Sequence, residues 1–329
     1  MPSSSRGADL RGRSTRVASA AAILLLSFTL TNCGGDATGP SPDPNVDRLE
    51  ITFGYATGTS LRLETMDLFQ STKDGRLTTP LVATPDVEAD PQWSRDGSKL
   101  VFTRTDASGQ SPLSLGVVNA DGTGRRLLVI DPVPPSSTTF NNQSNGTWSP
   151  DGASLAFNRL IAGTDAGIGV IGSDGTGLRW LTKAGLDPSW SSTDRIAYSG
   201  AGGIWTIRPD GSEATQVTAV GGDVLPRWSR DGSRLVFLNR TMTSSGTAYD
   251  VVTTRADGSD RRTLVSGGNN VNASWSPDGA YILYEHVELG DFTAPRCTLH
   301  KIPSSGGESV NLTPDRGVGF CGGASWRPF

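Results

Sequence analysis

The stretch Trp275-Ser276-Pro277-Asp278-Gly279-Ala280-Tyr281-Ile282-Leu283-Tyr284 recurs along the chain, and this recurrence limits the fold more than any other feature. Copies begin at Trp93, Trp148, Trp190, Trp228 and Trp275, with a shortened one at Trp326, at intervals of 55, 42, 38, 47 and 51 residues. Intervals of this size belong to arrays built from one supersecondary unit. In each copy the Trp closes an extended run and Asp-Gly makes a tight turn. The next run then puts an aliphatic and an aromatic residue two positions apart, on one face of a strand. The pairs are Leu100/Phe102, Leu155/Phe157, Ile196/Tyr198, Leu235/Phe237 and Ile282/Tyr284. Each copy predicts a hairpin with one buried face.

A second signature alternates with the first, built on Asp-Gly at Asp121, Asp174, Asp210 and Asp257, with weaker versions at Asp74 and Ser305-Gly306. An aliphatic residue stands six positions before each turn and another seven after it, so a second hairpin of fixed register follows the first. Four strands per unit is the composition of a propeller blade. Five Trp-to-Trp units leave a remainder at each end. The expectation is an all-β, six-bladed β-propeller over residues 48–329, four strands per blade. It would be closed by pairing N-terminal strands (49–82) with the C-terminal strand (323–329), which leaves no sheet edge open.

The Trp-Ser-Pro-Asp-Gly-x-x-Ile-x-Phe and aliphatic-x(5)-Asp-Gly patterns resemble the TolB-type propeller repeat over essentially everything after residue 48. The third copy departs from the pattern (Ser191-Ser192-Thr193-Asp194, without Gly), as does the turn at Ser304 to Gly307. TolB proteins carry an α/β domain ahead of the ring. Here a leader and a linker precede it, so the expectation is a TolB-like propeller and not TolB itself.

Residues 1–33 read as an export signal. Arg6, Arg11, Arg13 and Arg16 precede an apolar run from Val17 to Leu30, which falls short of the ~20 residues that span a bilayer. Leu30-Thr31-Asn32-Cys33 resembles a bacterial lipobox with Cys33 as the lipidated residue, and Gly34 after it favours the outer membrane. Residues 34–47, rich in Gly, Pro and Asp, read as a flexible linker. Removing residues 1–33 takes away four arginines and one aspartate, moving the formal charge from −4 to −7. An acidic body without a basic cluster argues against nucleic acid and against adhesion to anionic lipid. Attachment to a membrane would rest on the lipid anchor alone. A ring closed on itself is expected to be monomeric. Cys297 and Cys321 form an even pair in an oxidising compartment, which predicts a disulfide near the seam of the ring.

Candidates for chemistry are few. His286 and His300 are the two histidines, and neither has a second His or Cys at metal-ligand spacing. Both read as residues of a blade surface. Gly-x-Ser-x-Gly does not occur. Proteases of the prolyl-oligopeptidase and tricorn types, which the repeat also resembles, place catalysis in a separate domain. Oligogalacturonate lyases, another resemblance, hold a metal with clustered histidines. Catalytic residues are therefore expected to be none, and a cofactor none.

The turn aspartates Asp96, Asp151, Asp231 and Asp278 read as caps of their own turns. The six tryptophans read as packing between adjacent sheets. Both Asp-Gly turns of every unit fall at one end of the ring and the variable loops at the other, where function is expected. Candidate binding residues there are Asp131, Phe140, Asn141, Asn142, Asp223, Asn269, Asp291, Phe292, Arg296, Arg316 and Phe320. Three residues before each Trp stand Asp90, Asn145, Asp187, Leu225, Asn272 and Gly323. Four of the six are Asx, a candidate ring of oxygen ligands for a cation or polar ligand at the channel mouth. The leading expectation is a non-catalytic envelope scaffold that binds proteins through its variable face. The alternatives are a carbohydrate-active or other hydrolase or lyase with a cation at the channel mouth, and a glycan-binding lectin.

Overall fold

The computed structural model describes residues 48–56, 66–75, 78–108, 111–128, 141–161, 165–243, 246–288, 296–313 and 321–329. The leader, the linker and Cys33 lie outside these residues, as do Asp131, Phe140, Asp291, Phe292, Arg316 and Phe320. The side chains of Asn141, Arg296 and Cys321 do too.

Every element among the described residues is a strand, and the strands follow the repeat. β1 (Leu49–Ala56), β2 (Met66–Thr72) and β3 (Thr78–Val82) pair in order. β4 (Val87–Trp93), β5 (Lys99–Thr105), β6 (Ser114–Asn119) and β7 (Arg126–Leu128) form the next antiparallel ladder. β8 (Asn141–Trp148), β9 (Ser154–Ile161), β10 (Asp165–Gly172) and β11 (Arg179–Thr182) repeat it. β12 (Leu186–Trp190), β13 (Ile196–Gly200), β14 (Gly203–Ile207) and β15 (Thr215–Gln216) do so again. β16 (Asp223–Trp228), β17 (Arg234–Thr243), β18 (Gly246–Arg255) and β19 (Arg262–Val265) come next. They are followed by β20 (Asn269–Trp275), β21 (Tyr281–Glu288), β22 (Arg296–Pro303) and β23 (Val310–Asn311). β24 (Cys321–Trp326) then pairs with β1, with Ile51 opposite Trp326.

The expectation of separate four-stranded sheets needs one correction. β16 to β23 run as a single eight-stranded sheet, joined by one parallel bridge between Tyr249 and Asn269. The cause is local. The hairpin of β17 and β18 is ten residues on each side and overshoots its short partner β19, whose ladder stops at Val251 opposite Val265. The backbone of Tyr249, open on its β19 side, then bonds across to Gly268, through a connection of only three residues.

The strands ending in each Trp are innermost, and they touch in a closed cycle: β24, β4, β8, β12, β16, β20 and back to β24. Between neighbouring ladders lie the hydrophobic clusters. Leu68 and Val82 meet Trp93 and Phe102; Val101 and Leu115 meet Trp148 and Phe157; Ile168 and Leu181 meet Ile196 and Tyr198. Ala197 and Ile204 meet Leu235 and Phe237; Leu238 and Val251 meet Trp275 and Tyr284; Leu283 and Leu299 meet Phe53 and Trp326. The core is a series of seams between sheets, which is what defines a β-propeller. The C-terminal residues are stitched to the start of β1 within one ladder. Arg327 donates its backbone N–H to Glu50 O at 2.6 Å, and the Arg48 guanidinium lies 3.3 Å over the Phe329 ring.

Two local devices fix this register. In the Trp-Ser-x-Asp-Gly turn, Ser94 Oγ donates to Asp96 Oδ1 at 2.6 Å and accepts from Lys99 N at 2.9 Å, and the same contacts recur at Ser149/Asp151, Ser229/Asp231 and Ser276/Asp278. The turn aspartates thus cap their turns. The second device is a bulge in every innermost strand, three residues before the Trp. Asp90, Asn145, Asp187, Leu225 and Asn272 adopt φ of 52 to 58°, and Gly323 has φ 81°. The ladder register slips at each, as at Ala89/Gln92 and Ser144/Thr147. Asn and Asp are the side chains that enter this left-handed region at least cost, because their short polar groups bond locally.

Turned backward by the bulge, the backbone N–H bonds a side chain of the preceding ladder. Asn145 N donates to Thr103 Oγ1 (3.2 Å), Asp187 N to Asn158 Oδ1 (2.6 Å), Leu225 N to Ser199 Oγ (2.9 Å), and Gly323 N to the Glu285 carboxyl. Each acceptor directly follows the aromatic residue of its own repeat, so the latch is part of the repeat.

Replacing Ser199 by Ala leaves the Leu225 N–H without its partner, and a loss of about 1–3 kcal/mol is expected for an orphaned buried donor. Urea unfolding of Ser199→Ala checks this; a change within about 0.3 kcal/mol would show that the latch is idle.

Candidate functional site

The bulges bring the Asx residues of the sequence reading to the throat of the channel, where they meet three groups the sequence did not suggest: Arg227, Glu285 and Asn158. Asn145 Nδ2 donates to Asp187 Oδ1 at 2.8 Å, Asn158 Nδ2 reaches the same oxygen at 3.3 Å, and Ser199 Oγ donates to Asp187 Oδ2 at 3.1 Å. Around the ring, Asn272 Nδ2 donates to Glu285 Oε2 at 2.7 Å. Asp90, Asn272, Gln92 and Arg227 surround a void of about 10 Å³, room for roughly one water. The Asx ring therefore encloses a narrow throat lined by paired groups.

The electrostatics follow from this enclosure. Burial pushes the Asp90 carboxyl up to about 6 against the pull of Arg227 and a hydrogen bond from Thr103. Burial also pushes Glu285 up to about 8, opposed by the Asn272 hydrogen bond and aided by the Asp90 charge. Arg227 moves down through burial, opposed by Asp187 and Asp90. Arg227 is thus the positive charge shared by both aspartates. A cation seated among Asp90, Asp187, Asn145 and Asn272 would face that guanidinium and would have to break the amide-to-carboxylate bonds. Among the described residues no group of three or more His, Cys, Asp or Glu has the spacing to hold a metal.

Above the throat, toward the Asp-Gly turns, the channel widens into a cavity of about 170 Å³. Its walls are the six repeat tryptophans and the residues on either side of them, including Ser94, Ser149, Ser229 and Ser276. Two indoles cross to the neighbouring ladder, Trp93 Nε1 to Thr52 Oγ1 (3.0 Å) and Trp148 Nε1 to Gln92 O (3.1 Å). Trp190 instead bonds Asp194 Oδ1 at 2.9 Å, because the third copy has Asp194 (φ 58°) where the others have Gly. This cavity stands at the end opposite the variable loops, on which the sequence reading had placed function.

The remaining candidates are spread out. Asn142 accepts from Leu113 N at 3.0 Å, and Asn269 makes the bridge to Tyr249. Asp223, expected on a binding loop, is 1% exposed and bonds Arg261 at 2.8 and 2.9 Å and Asn239 at 2.8 Å. It belongs to a second repeat the sequence reading missed. Five residues before the Trp, Glu88, Gln143, Asp223 and Asn270 are all buried. Arg125 bonds Glu88 at 3.0 Å and passes 5.8 Å over Phe102, while Arg261 passes 5.0 Å over Phe237. These guanidiniums tie the innermost strand to the outer edge of the same ladder. Burial pushes Glu88 up to about 6, opposed by Thr84 and Arg125. In the last ladder Asn270 instead holds His286 Nδ1 at 2.9 Å, and His286 meets the His300 ring edge-on at 6.0 Å. The two histidines are neighbours in space, and burial together with His286 lowers the His300 pKa. Cys297 is disulfide-bonded; the side chain of its expected partner Cys321 is not among the described ones.

Fold and site together define a β-propeller. No protein-family model matches the chain. TolB proteins are among those it is similar to. Over 109 residues it is 36% identical to the Tol-Pal system protein TolB of Gluconobacter oxydans, covering 31% of this chain and 21% of that protein. The chain thus matches about a fifth of that relative's length. TolB of Acinetobacter baumannii superposes with a TM-score of 0.67 and 16% identity over 87% of this chain and 68% of that one. The putative TolB of Agrobacterium tumefaciens gives 0.58 and 19% over 85% and 99%. At these identities the structural likeness speaks for the fold.

Glu285 ionises near 4.5 when unfolded and at about 8 when folded, so the native state binds the extra proton between these values. Its contribution to stability is full below pH 4.5 and is lost as pH rises through about 8. Glu285→Gln is expected to flatten the fall in melting temperature between pH 6 and 8 and to equal or exceed the parent at pH 8. Parallel slopes would contradict the assignment.

Proposed function

We propose that this chain is a binding scaffold of the bacterial envelope, a six-bladed TolB-like propeller that recognises envelope proteins. The sequence match to a Tol-Pal system protein carries the reading, since it joins the fold to an envelope assembly. The count of six treats the eight-stranded sheet as two blades that touch through the Tyr249 bridge, an interpretation supported by the closed cycle of six innermost strands. The first 33 residues would export the chain and Cys33 would anchor it by lipid, and the disulfide of Cys297 would be made to Cys321.

The rigidity of the scaffold supports recognition over a moving mechanism. Every innermost strand is held by hydrophobic seams, and most are held by latches as well, so loops at the variable end would be presented on a fixed frame. An acidic body suits a partner with a basic patch. A channel cation, the alternative of the sequence reading, is disfavoured by Arg227, which already balances Asp90 and Asp187.

The test is cross-linking in the envelope of tagged, lipidated protein, with identification of captured proteins and a variant lacking residues 134–145 as control. One or two envelope proteins recovered with the parent and lost with the variant are expected. Equal recovery with both, or none with either, would remove the variable face as the site.

A further inference from the structure

The cavity at the Asp-Gly end has a charge pattern at odds with the rest of the protein. Its charged lining residues are Arg95, Arg227 and Arg230, and no carboxylate lines it. Arg95 and Arg230 occupy the same position of two repeats whose innermost strands, β4 and β16, stand three steps apart in the cycle whichever way it is followed. They approach from opposite sides of the mouth. Arg95 Nη1 donates to Arg230 O and Arg230 Nη2 to Arg95 O, both at 3.4 Å. These long bonds are the hydrogen bonds of the two guanidiniums, which form no ion pair with a described residue. The neighbouring turn carboxylates are directed elsewhere: Asp96 accepts from Ser94 and Ser98, and Asp231 from Ser229 and Ser233.

A second observation lies in the wall. Trp275 and Trp326 line it and are 9% and 8% exposed. The paired indoles Trp93 and Trp148 make up another part of the same wall. Two guanidiniums across a mouth, with a third at its floor, hold oxyanions in bidentate fashion.

We propose that this mouth binds a small organic carboxylate, its anionic group held between Arg95 and Arg230 and its body against the indoles. The size and lining select the class. At about 170 Å³ the cavity is smaller than the ~300 Å³ or more of sites for drug-sized ligands. Its indole walls reward an apolar or ring-shaped body, which inorganic phosphate does not have. This site is separate from the protein-binding face proposed above, and neither depends on the other.

Titration calorimetry at low ionic strength tests it, with benzoate as probe and inorganic phosphate for comparison, on the full exported chain and on the double variant Arg95→Ala/Arg230→Ala. Both side chains are exposed, so the variant is expected to keep the parent melting temperature, which is measured alongside. Saturable binding of one benzoate per chain is expected, weakened at least tenfold in the variant and stronger than the binding of phosphate. No saturable heat with benzoate, equal affinity in the variant, or binding of phosphate alone would overturn the proposal. If the variant melts early, Arg95→Lys/Arg230→Lys serves instead. This pair keeps the charge but loses the planar fork, and at least a threefold loss of affinity is expected; an unchanged affinity would likewise overturn it.

Discussion

A backbone turned into the left-handed region three residues before each Trp sets the geometry of the channel. An ordinary side chain in this conformation costs about 1–2 kcal/mol, so the repeat supplies Asp or Asn at four of the six positions and Gly at a fifth. The bulge turns an N–H toward the preceding ladder, where Thr103, Asn158, Ser199 or Glu285 accepts it. Two positions lack this partner because Gly54 and Leu238 follow the aromatic residue there. At one of them Asp90 bonds Thr103 within its own ladder, and at the other Asn272 turns its amide to Glu285.

The rest of the architecture follows from packing this frame. The tip of the Phe102 ring lies over its cross-strand partner Gly116, where a Cβ would approach it to 2.2 Å, so a larger residue there would displace the aromatic of the repeat. Arg125 and Arg261 then cover Phe102 and Phe237 and reach back to Glu88 and Asp223 on the innermost strand. Two of the ladders are clamped in this way from inner to outer edge, and neighbouring ladders are latched or sealed to one another. The ring so built has two ends. One carries the variable loops. The other carries a cationic mouth on an acidic protein.

Much of this was legible in the sequence because it repeats. The Trp positions, the turns capped by Asp96 and Asp151, the aliphatic-aromatic pairs and the pairing of β24 with β1 all follow from spacing and period. The Asx positions were legible as a pattern, but composition did not reveal their cause, since a ligand ring and a left-handed bulge both select Asp and Asn. The latch residues were missed because a single Thr or Ser after a buried aromatic looks like any strand residue. Only the shared offset of Thr103, Asn158, Ser199 and Glu285 would have exposed it. The Glu88–Arg125 and Asp223–Arg261 clamps join residues 37 and 38 positions apart, beyond any local signal. Arg95 and Arg230 were visible as Trp-Ser-Arg in two copies, yet only ring closure brings them face to face across 135 residues.

Amide hydrogen exchange at the bulges tests the account most directly. If the latches hold the ring, the N–H groups of Asn145, Asp187, Leu225 and Gly323 exchange only through global unfolding, with protection matching the stability measured in denaturant. If these four exchange as fast as the exposed turn amides of Thr123 and Ser212, the bulges are loose and the central channel is not held by them.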